Sequence, residues 1–151
     1  MRAKLGDAVR TGTLKTPRIM ESLVDKFVID VAAGSQHNLV LDESHKMYSW
    51  GSGMQGELGL GNDNIGNFKD AQPVKFAADV VQISAGVAHS CAITREGRLL
   101  VWGQNRQAQL GFLERVKEIR KPVLFLGCIE AGVFGQVNAN GVFDVNFDIS
   151  Y

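Results

Sequence analysis

His37 and His89 are the residues that most invite a catalytic or metal-binding interpretation, because an imidazole can act as a base or as a zinc ligand. Neither histidine belongs to a set of cysteines or carboxylates with the spacing of a zinc site. The two histidines lie at equivalent positions in two similar stretches of the sequence, 52 residues apart. We therefore predict that they pack or form hydrogen bonds inside the fold, and that the chain has no metal site.

The other residues that could do chemistry recur in the same way. Trp50 and Trp102 each end an apolar run just before a glycine, which predicts core packing rather than ligand stacking. Cys91 occupies the position of Leu39, so we expect an inert, buried thiol, and Cys128 is expected to be a free core thiol too. The glycines at 51–56 lack the G-x-x-x-x-G-K-[ST] pattern of a phosphate loop. No catalytic triad or carboxylate pair recurs, which predicts a chain that is not an enzyme and needs no cofactor.

Composition narrows the class of protein further. The 151 residues are 45% hydrophobic and 21% charged, with 16 basic and 16 acidic side chains. This composition is typical of a single globular domain and excludes a disordered tail or a polybasic arm. It also argues against a nucleic-acid partner. No apolar run reaches the roughly 18 residues of a membrane span, and no secretory signal is recognisable. With only two cysteines, we expect an intracellular protein, cytoplasmic or nuclear.

An internal repeat organises the chain. The difference between positions 50 and 102, the two tryptophans, is 52 residues, and the same offset relates a series of other pairs. These pairs are Ala33-Gly34 with Ala85-Gly86, His37 with His89, Trp50-Gly51 with Trp102-Gly103, and Leu58-Gly59 with Leu110-Gly111. We predict one continuous domain with the end of a preceding repeat at 1–27, repeats at 28–79 and 80–121, and a degenerate third repeat at 122–151.

Within a repeat, short apolar runs bounded by turn residues predict four strands. In the second copy we place them at 73–76, 80–84, 89–94 and 99–102. Gly97 is expected to allow a hairpin turn by taking a positive φ, and His45 is expected to do so at the equivalent turn. Helical turns are predicted at 21–27 and 112–121.

The pattern A-G-x-x-H, a strand ending W-G, and then G-x-L-G-x-G resembles the regulator of chromosome condensation repeat family. It is carried by the pairs above and by Gly56-Glu57-Leu58-Gly59-Leu60-Gly61. The resemblance implies an all-β fold of antiparallel, four-stranded propeller blades in a ring of about seven. Because 151 divided by 52 is about 2.9, we expect about three units. The ring would then be incomplete, completed by another chain or by a homo-oligomer, or the chain would be a fragment of a longer propeller.

Repeats without recognisable chemistry indicate a non-catalytic protein–protein interaction or scaffold module. One alternative, implied by the resemblance, is guanine-nucleotide exchange on a small GTPase with chromatin association. Another is a structural subunit of a larger cytoskeletal or organellar assembly, whose neighbours would cover the open blades.

Antiparallel strands would bring the short turns at 34–36 and 86–88 to the same face as the long connections at 51–72 and 103–121. Long loops on a rigid scaffold often bind partners. The partner-binding residues predicted on this face are Gln55, Asp63, Asn64, Asn105, Arg106 and Gln107.

Overall fold

The computed structural model describes residues 16–76, 78–112 and 116–125, and the backbone of residues 136–137 and 142–144. Apart from a 3-10 turn at Glu21–Leu23, the regular structure of these residues is β, which confirms the expected class. The strands are β1 Val28–Ala33, β2 His37–Asp42, β3 Met47–Ser52, β4 Asn67–Val74, β5 Val80–Ala85, β6 His89–Thr94, β7 Leu99–Gln104, β8 Glu118–Leu124, β9 Gln136–Val137 and β10 Val142–Asp144.

The strands form two sheets with the same plan. β1 to β4 pair antiparallel in chain order as blade 1, and β5 to β8 do so as blade 2. The register of the first strand pair shifts after Val28 in blade 1 and after Val80 in blade 2. The third pair shifts just before Gly51 and Gly103. The repeat therefore extends to the bulges, which bend and twist a strand locally.

The hairpin turns between the second and third strands also match the prediction. Gly97 has φ 75°, and His45 adopts φ 62° at the equivalent point of blade 1. The positive φ has a steric cost for His45 but not for Gly97, since only glycine adopts a left-handed conformation without steric penalty. The ring of His45 compensates by contacting the neighbouring blade, where Nδ1 lies 2.8 Å from the backbone oxygen of Val80.

Two local assignments are corrected by the pairing. The strand expected at 73–76 is the end of β4, in which Pro73 and Val74 pair with β3 and close blade 1. An alternating pattern identifies a strand but not its partner, and a proline is tolerated on such an outer strand. The helical turn at 112–121 is also wrong, because Glu118–Leu124 forms β8 and pairs with β7. The turn expected at 21–27 is present as the short 3-10 segment.

The described part of the expected third repeat extends the second sheet. β10 pairs parallel with β8, and β9 pairs antiparallel with β10. β8 itself runs to Leu124, across position 122 where a third repeat was expected to begin. The described residues thus contain two blades, and the propeller is partial.

The core lies between the two blades. Blade 1 contributes Leu39, Leu41 and Met47, each at most 2% exposed, and blade 2 contributes residues from all four of its strands, including a Trp102 that is fully buried. Full burial of an aliphatic side chain contributes roughly 1.5–3 kcal/mol. The interface between the blades is thus the principal hydrophobic contact of the described structure.

Candidate functional site

Both kinds of loop expected at one end of the blades do meet there. In blade 1 the turn at 34–36 contacts the start of the β3–β4 connection, where Ser52 N donates to Gln36 O at 2.7 Å. In blade 2 the equivalent bond runs from Gln104 N to Ala88 O at 2.8 Å. We call the surface formed by residues 34–36, 53–66, 86–88 and 105–112 the loop face.

The glycine after each tryptophan makes this meeting possible. Gly51 has φ 109°, and a Cβ added there would lie 2.3 Å from the carbonyl oxygen of Gln36. Gly103 has φ 104°, and its Cβ would lie 2.6 Å from the carbonyl oxygen of Ala88. Only glycine permits both the positive φ and the close backbone approach. The W-G pair of each repeat is therefore a structural requirement of the loop face.

A buried hydrogen-bond network joins the loop of blade 1 to the strands of blade 2. The backbone oxygen of Glu57 accepts from Ser90 Oγ at 2.9 Å and from Trp102 Nε1 at 3.0 Å. Ser90 Oγ lies 2.9 Å from His37 Nε2. Since the single hydroxyl proton of Ser90 goes to Glu57, His37 Nε2–H is the donor in that contact. The predicted structural roles of the blade 1 histidine and the blade 2 tryptophan are confirmed.

His89 occupies the equivalent position in blade 2 but is partly exposed. Its ring lies against Gly86, where an added Cβ would come within 2.1 Å of the imidazole carbon Cε1. Gly34 is related to His37 in the same way, at 2.2 Å. The A-G-x-x-H pattern thus encodes an imidazole folded over a glycine, which leaves no room for a larger residue.

Five of the six predicted partner-binding residues are accessible on the loop face. Asp63, Asn64, Arg106 and Gln107 are exposed, and Gln55 is half-buried. The side chain of Asn64 donates to the backbone oxygen of Leu60 at 3.1 Å, which holds its turn closed. These positions come from both blades, so a partner could contact both loops at once.

Asn105 is the exception, and its expected role as a contact residue is corrected. It is fully buried beneath the loop of blade 2. Its Nδ2 donates to Val116 O at 2.7 Å and to Phe112 O at 3.3 Å, while Oδ1 accepts from Leu110 N at 2.9 Å. A short amide that bonds the backbone is a common way to fix a turn. Asn105 therefore shapes the loop from within.

A chain of side-chain amides connects the two loops and was missed by sequence reasoning. Gln104 donates to Gln55 Oε1, and Gln104 Oε1 accepts from Gln109 Nε2 at 3.1 Å. Glu57 and Gln109 are 52 residues apart, and both hold the backbone N–H of the residue two positions earlier, at 2.7 and 2.9 Å. The repeat offset contained this signal, because it aligns the two acceptor side chains.

A groove of about 370 Å³ lies beside the exposed turn at Asp63 and Asn64. Its wall includes Phe68 from β4 and two lysines, Lys75 and Lys121. Lys121 lies close to the tightly turned Gly61, where an added Cβ would come within 2.8 Å of its Cε. The lysines are distant in sequence, so nothing in the local pattern could have paired them. The groove is therefore lined by two basic side chains and by the acidic Asp63.

Two observations bear on metal and thiol chemistry. Across residues 16–76, 78–112 and 116–125, no three His, Cys, Asp or Glu side chains are grouped so as to hold a metal ion. Partial burial raises the pKa of the Cys91 thiol, which favours its protonated form. The side chain is half-buried, so the expectation of a fully buried core thiol is corrected. Cys128 lies outside the described residues.

In the part of the chain with an assigned structure, no helix has the length and apolar character to cross a bilayer.

Sequence comparison identifies the repeat. Two family models, both described as "Regulator of chromosome condensation (RCC1) repeat", match residues 28–56 with 80–109, and residues 44–93. Together these matches run from the start of β1 to the loop after β7, through both blades. The chain belongs to the regulator of chromosome condensation repeat family.

Relatives in this family include several larger proteins. The human "Probable E3 ubiquitin-protein ligase HERC4" is 30% identical in an alignment of 141 residues that covers 86% of this chain and 13% of that protein. "Regulator of chromosome condensation" of Mus musculus is 34% identical over 111 residues, 72% of this chain and 26% of that protein. "Ultraviolet-B receptor UVR8" of Arabidopsis thaliana is 34% identical over 102 residues, 66% of this chain and 23% of that protein. The chain thus spans no more than about a quarter of each of these relatives.

Two solved structures have the same fold as this chain. Yeast RCC1 (Prp20), solved with Kap60 bound, matches with a TM-score of 0.61 at 21% identity, over 66% of this chain and 25% of that one. Human WBSCR16 matches with a TM-score of 0.61 at 22% identity, over 72% of this chain and 27% of that one. The two sheets of this chain are therefore propeller blades of the regulator of chromosome condensation type.

Proposed function

We propose that this chain is a non-catalytic protein-interaction or scaffold module that binds its partner through the loop face. The proposal rests on a contrast within the loop face, between a base of buried hydrogen bonds and a rim of exposed polar side chains. The loop of blade 1 is fixed to blade 2 at the Glu57 carbonyl by two buried donors. Above this base, Asp63, Asn64, Arg106 and Gln107 remain exposed. Contact residues held on rigid loops lose little conformational entropy on binding.

The chemistry of the rim favours a polar protein partner. It presents side-chain amides, the acidic Asp63, and the basic Arg106, Lys75 and Lys121 within two adjacent loops and their groove. Formal net charge of the whole chain is +0. A mixed surface of this kind suits a partner with complementary charges of both signs, because like charges placed opposite each other would reduce affinity. The proposal includes an intracellular location, cytoplasmic or nuclear, where the thiol of Cys91 would remain reduced.

A matched pair of quadruple variants tests the loop face. The test variant changes Asp63, Asn64, Arg106 and Gln107 to alanine. The control changes Glu43, Ser44, Arg95 and Glu96, which are exposed in the turns at the opposite end of the blades. Partners captured quantitatively by the wild-type chain should bind the test variant at least about tenfold more weakly and the control unchanged, since contact residues dominate affinity. Equal binding by the test variant, with loss in the control, would place the partner at the other end.

Guanine-nucleotide exchange with chromatin association is a second candidate. It is supported by the solved structure of Prp20p from Saccharomyces cerevisiae, which was described together with its binding properties to Gsp1p and histones. Release of a fluorescent guanine nucleotide from a purified small GTPase of the Gsp1p type should accelerate in proportion to added chain. An unchanged release rate at high chain concentration would remove this candidate. A structural role in a larger cytoskeletal or organellar assembly remains the third, and it would also use the blade surfaces.

A further inference from the structure

The inner strands of the two blades have similar sequences and very different exposures. In blade 2, Val80 is 1% and Ile83 is 6% exposed, because β1 and β2 of blade 1 pack against β5. At the equivalent positions of blade 1, Val28 is 40% and Val31 is 66% exposed. We call the surface at Val28 and Val31 the β1 face. It has the residue types of a blade interface, but no blade formed by residues 16–76, 78–112 and 116–125 covers it.

The far side of blade 2 has the complementary feature. In blade 1 the residues that pack against blade 2 include Leu39, Leu41 and Met47, at 0%, 0% and 2% exposure. Their equivalents in blade 2 are Cys91 and Ile93, which are half-buried, and Leu99, which is 36% exposed. We call these three residues the β6 face. A groove of about 330 Å³ with a mainly apolar lining runs over it, between Leu99, Leu110 and Phe125.

The interface within the chain indicates what would fit these two faces. There, β1 and β2 pack against β5, which carries Val80 and Ile83, and polar contacts fix the register at the edge. Ile83 N donates to Asp30 Oδ2 at 3.4 Å, and the imidazole of His45 approaches Val80 O. The β6 face corresponds to the side of this interface that blade 1 supplies with Leu39, Leu41 and Met47. The β1 face corresponds to the side that blade 2 supplies with Val80 and Ile83. The chain therefore carries both halves of a contact that it already makes once.

We propose that a second copy of this chain docks head to tail, with its β1 face on the β6 face of the first copy. The contact continues the internal blade-to-blade packing with the same offset and with apolar residues at the corresponding positions. It is heterologous, since two different surfaces meet, so copies can add until the ring closes. The inference rests on the proposed function in that it names a partner of the interaction module. It uses the blade faces, however, and not the loop face.

The test is the mass of the full 151-residue chain in solution, measured by sedimentation velocity and native mass spectrometry. The wild type should form oligomers whose size increases with concentration. Val31→Asp and Leu99→Asp should each weaken association by at least about a hundredfold, because each would bury a carboxylate without a partner. Val24→Asp is the matched control, since Val24 is 71% exposed at the end of the 3-10 turn, outside both blade faces and the loop face. It should associate like the wild type.

Mixing the two interface variants gives the sharpest result. Val31→Asp retains an intact β6 face and Leu99→Asp retains an intact β1 face. An equimolar mixture should therefore form a 1:1 dimer that cannot grow, although each variant alone is monomeric. A wild type that stays monomeric up to about 1 mM overturns the inference, as does a mixture that remains monomeric. Neither result affects the loop-face proposal, which fails only if the quadruple loop variant binds its partner normally.

Discussion

Replacing Ser90 with alanine tests the network that fixes the loop of blade 1 to blade 2. The hydroxyl is fully buried, donates to Glu57 O and accepts from His37 Nε2, each at 2.9 Å. The substitution creates almost no cavity, so the main cost is the loss of an acceptor for a buried imidazole N–H. Leaving such a donor without its partner costs roughly 1–3 kcal/mol. Glu57 O loses less, because the indole N–H of Trp102 still donates to it at 3.0 Å.

The free energy of unfolding should therefore fall by about 1–3 kcal/mol in Ser90→Ala, measured by urea denaturation followed by circular dichroism. For a chain of this size, each kcal/mol lowers Tm by roughly 2–4 °C. Ser44→Ala is the control, because Ser44 is exposed in a turn and its loss should change stability by less than about 0.5 kcal/mol.

A double-mutant cycle with Trp102→Phe sharpens the test. Each single change leaves one donor on the Glu57 carbonyl, whereas the double variant removes both of them. The double variant should therefore be less stable than the sum of the single effects predicts, by about 0.5–3 kcal/mol. Additive losses, or a Ser90→Ala effect as small as that of the Ser44 control, would refute the proposed coupling between loop and blade.

Three further predictions follow from the loops and the thiol. Ala108→Gly should stabilise the chain by up to about 1 kcal/mol in urea denaturation, because Ala108 adopts φ 55°. The reverse change at the equivalent position, Gly56→Ala, should destabilise the chain, because the new Cβ would lie 2.7 Å from a backbone oxygen. Asn105→Ala should lower the free energy of unfolding by about 2–3 kcal/mol and speed hydrogen exchange in the loop of blade 2, whereas exchange limited to wild-type rates would argue against its role there. In a Cys128→Ser background, Cys91 should react with a thiol reagent at pH 8 more slowly in the folded chain than in urea, because burial raises its pKa and lowers the thiolate fraction; equal rates would contradict this.

The raised pKa of Cys91 also sets the sign of a pH effect on stability. A thiol whose pKa is higher in the folded state binds its proton more tightly there than in the unfolded chain. Its contribution to stability is therefore complete below the pKa of the unfolded thiol and declines as pH rises through the folded value. Stability should therefore decline at alkaline pH, above the ordinary thiol pKa of 9.0.

Much of the loop face was accessible to sequence reasoning, because its determinants are local. The glycine after each tryptophan and the imidazole over Gly34 both belong to short motifs that recur at a fixed offset. The exposure of Asp63 and Arg106 follows from their place in turns. Asn105 occupies a similar turn, yet its amide is directed inwards to the backbone of residues 112 and 116. Turn sequence alone cannot distinguish these cases, since both use short polar side chains.

The groove lysines, the contact of Gln104 with Gln55 and the partner of β4 could not be predicted, because each depends on which distant segments meet. Lys75 and Lys121 border one groove only because β4 and β8 lie on adjacent blades. Pro73 was recognised as part of a strand, but its pairing with β3 was not. Such contacts are decided by the packing of whole sheets.

Val28 and Val80 show where the boundary lies. Both are valines at the start of an inner strand, 52 residues apart, in a family whose blades are built from this repeat, and this much can be read from the residues alone. The packing of the blades makes the first 40% exposed and the second 1% exposed. Local chemistry fixes the strand and its turn, whereas burial depends on the presence of a neighbouring blade. Whether a blade lies beside the strand depends on contacts between residues that are far apart in the sequence.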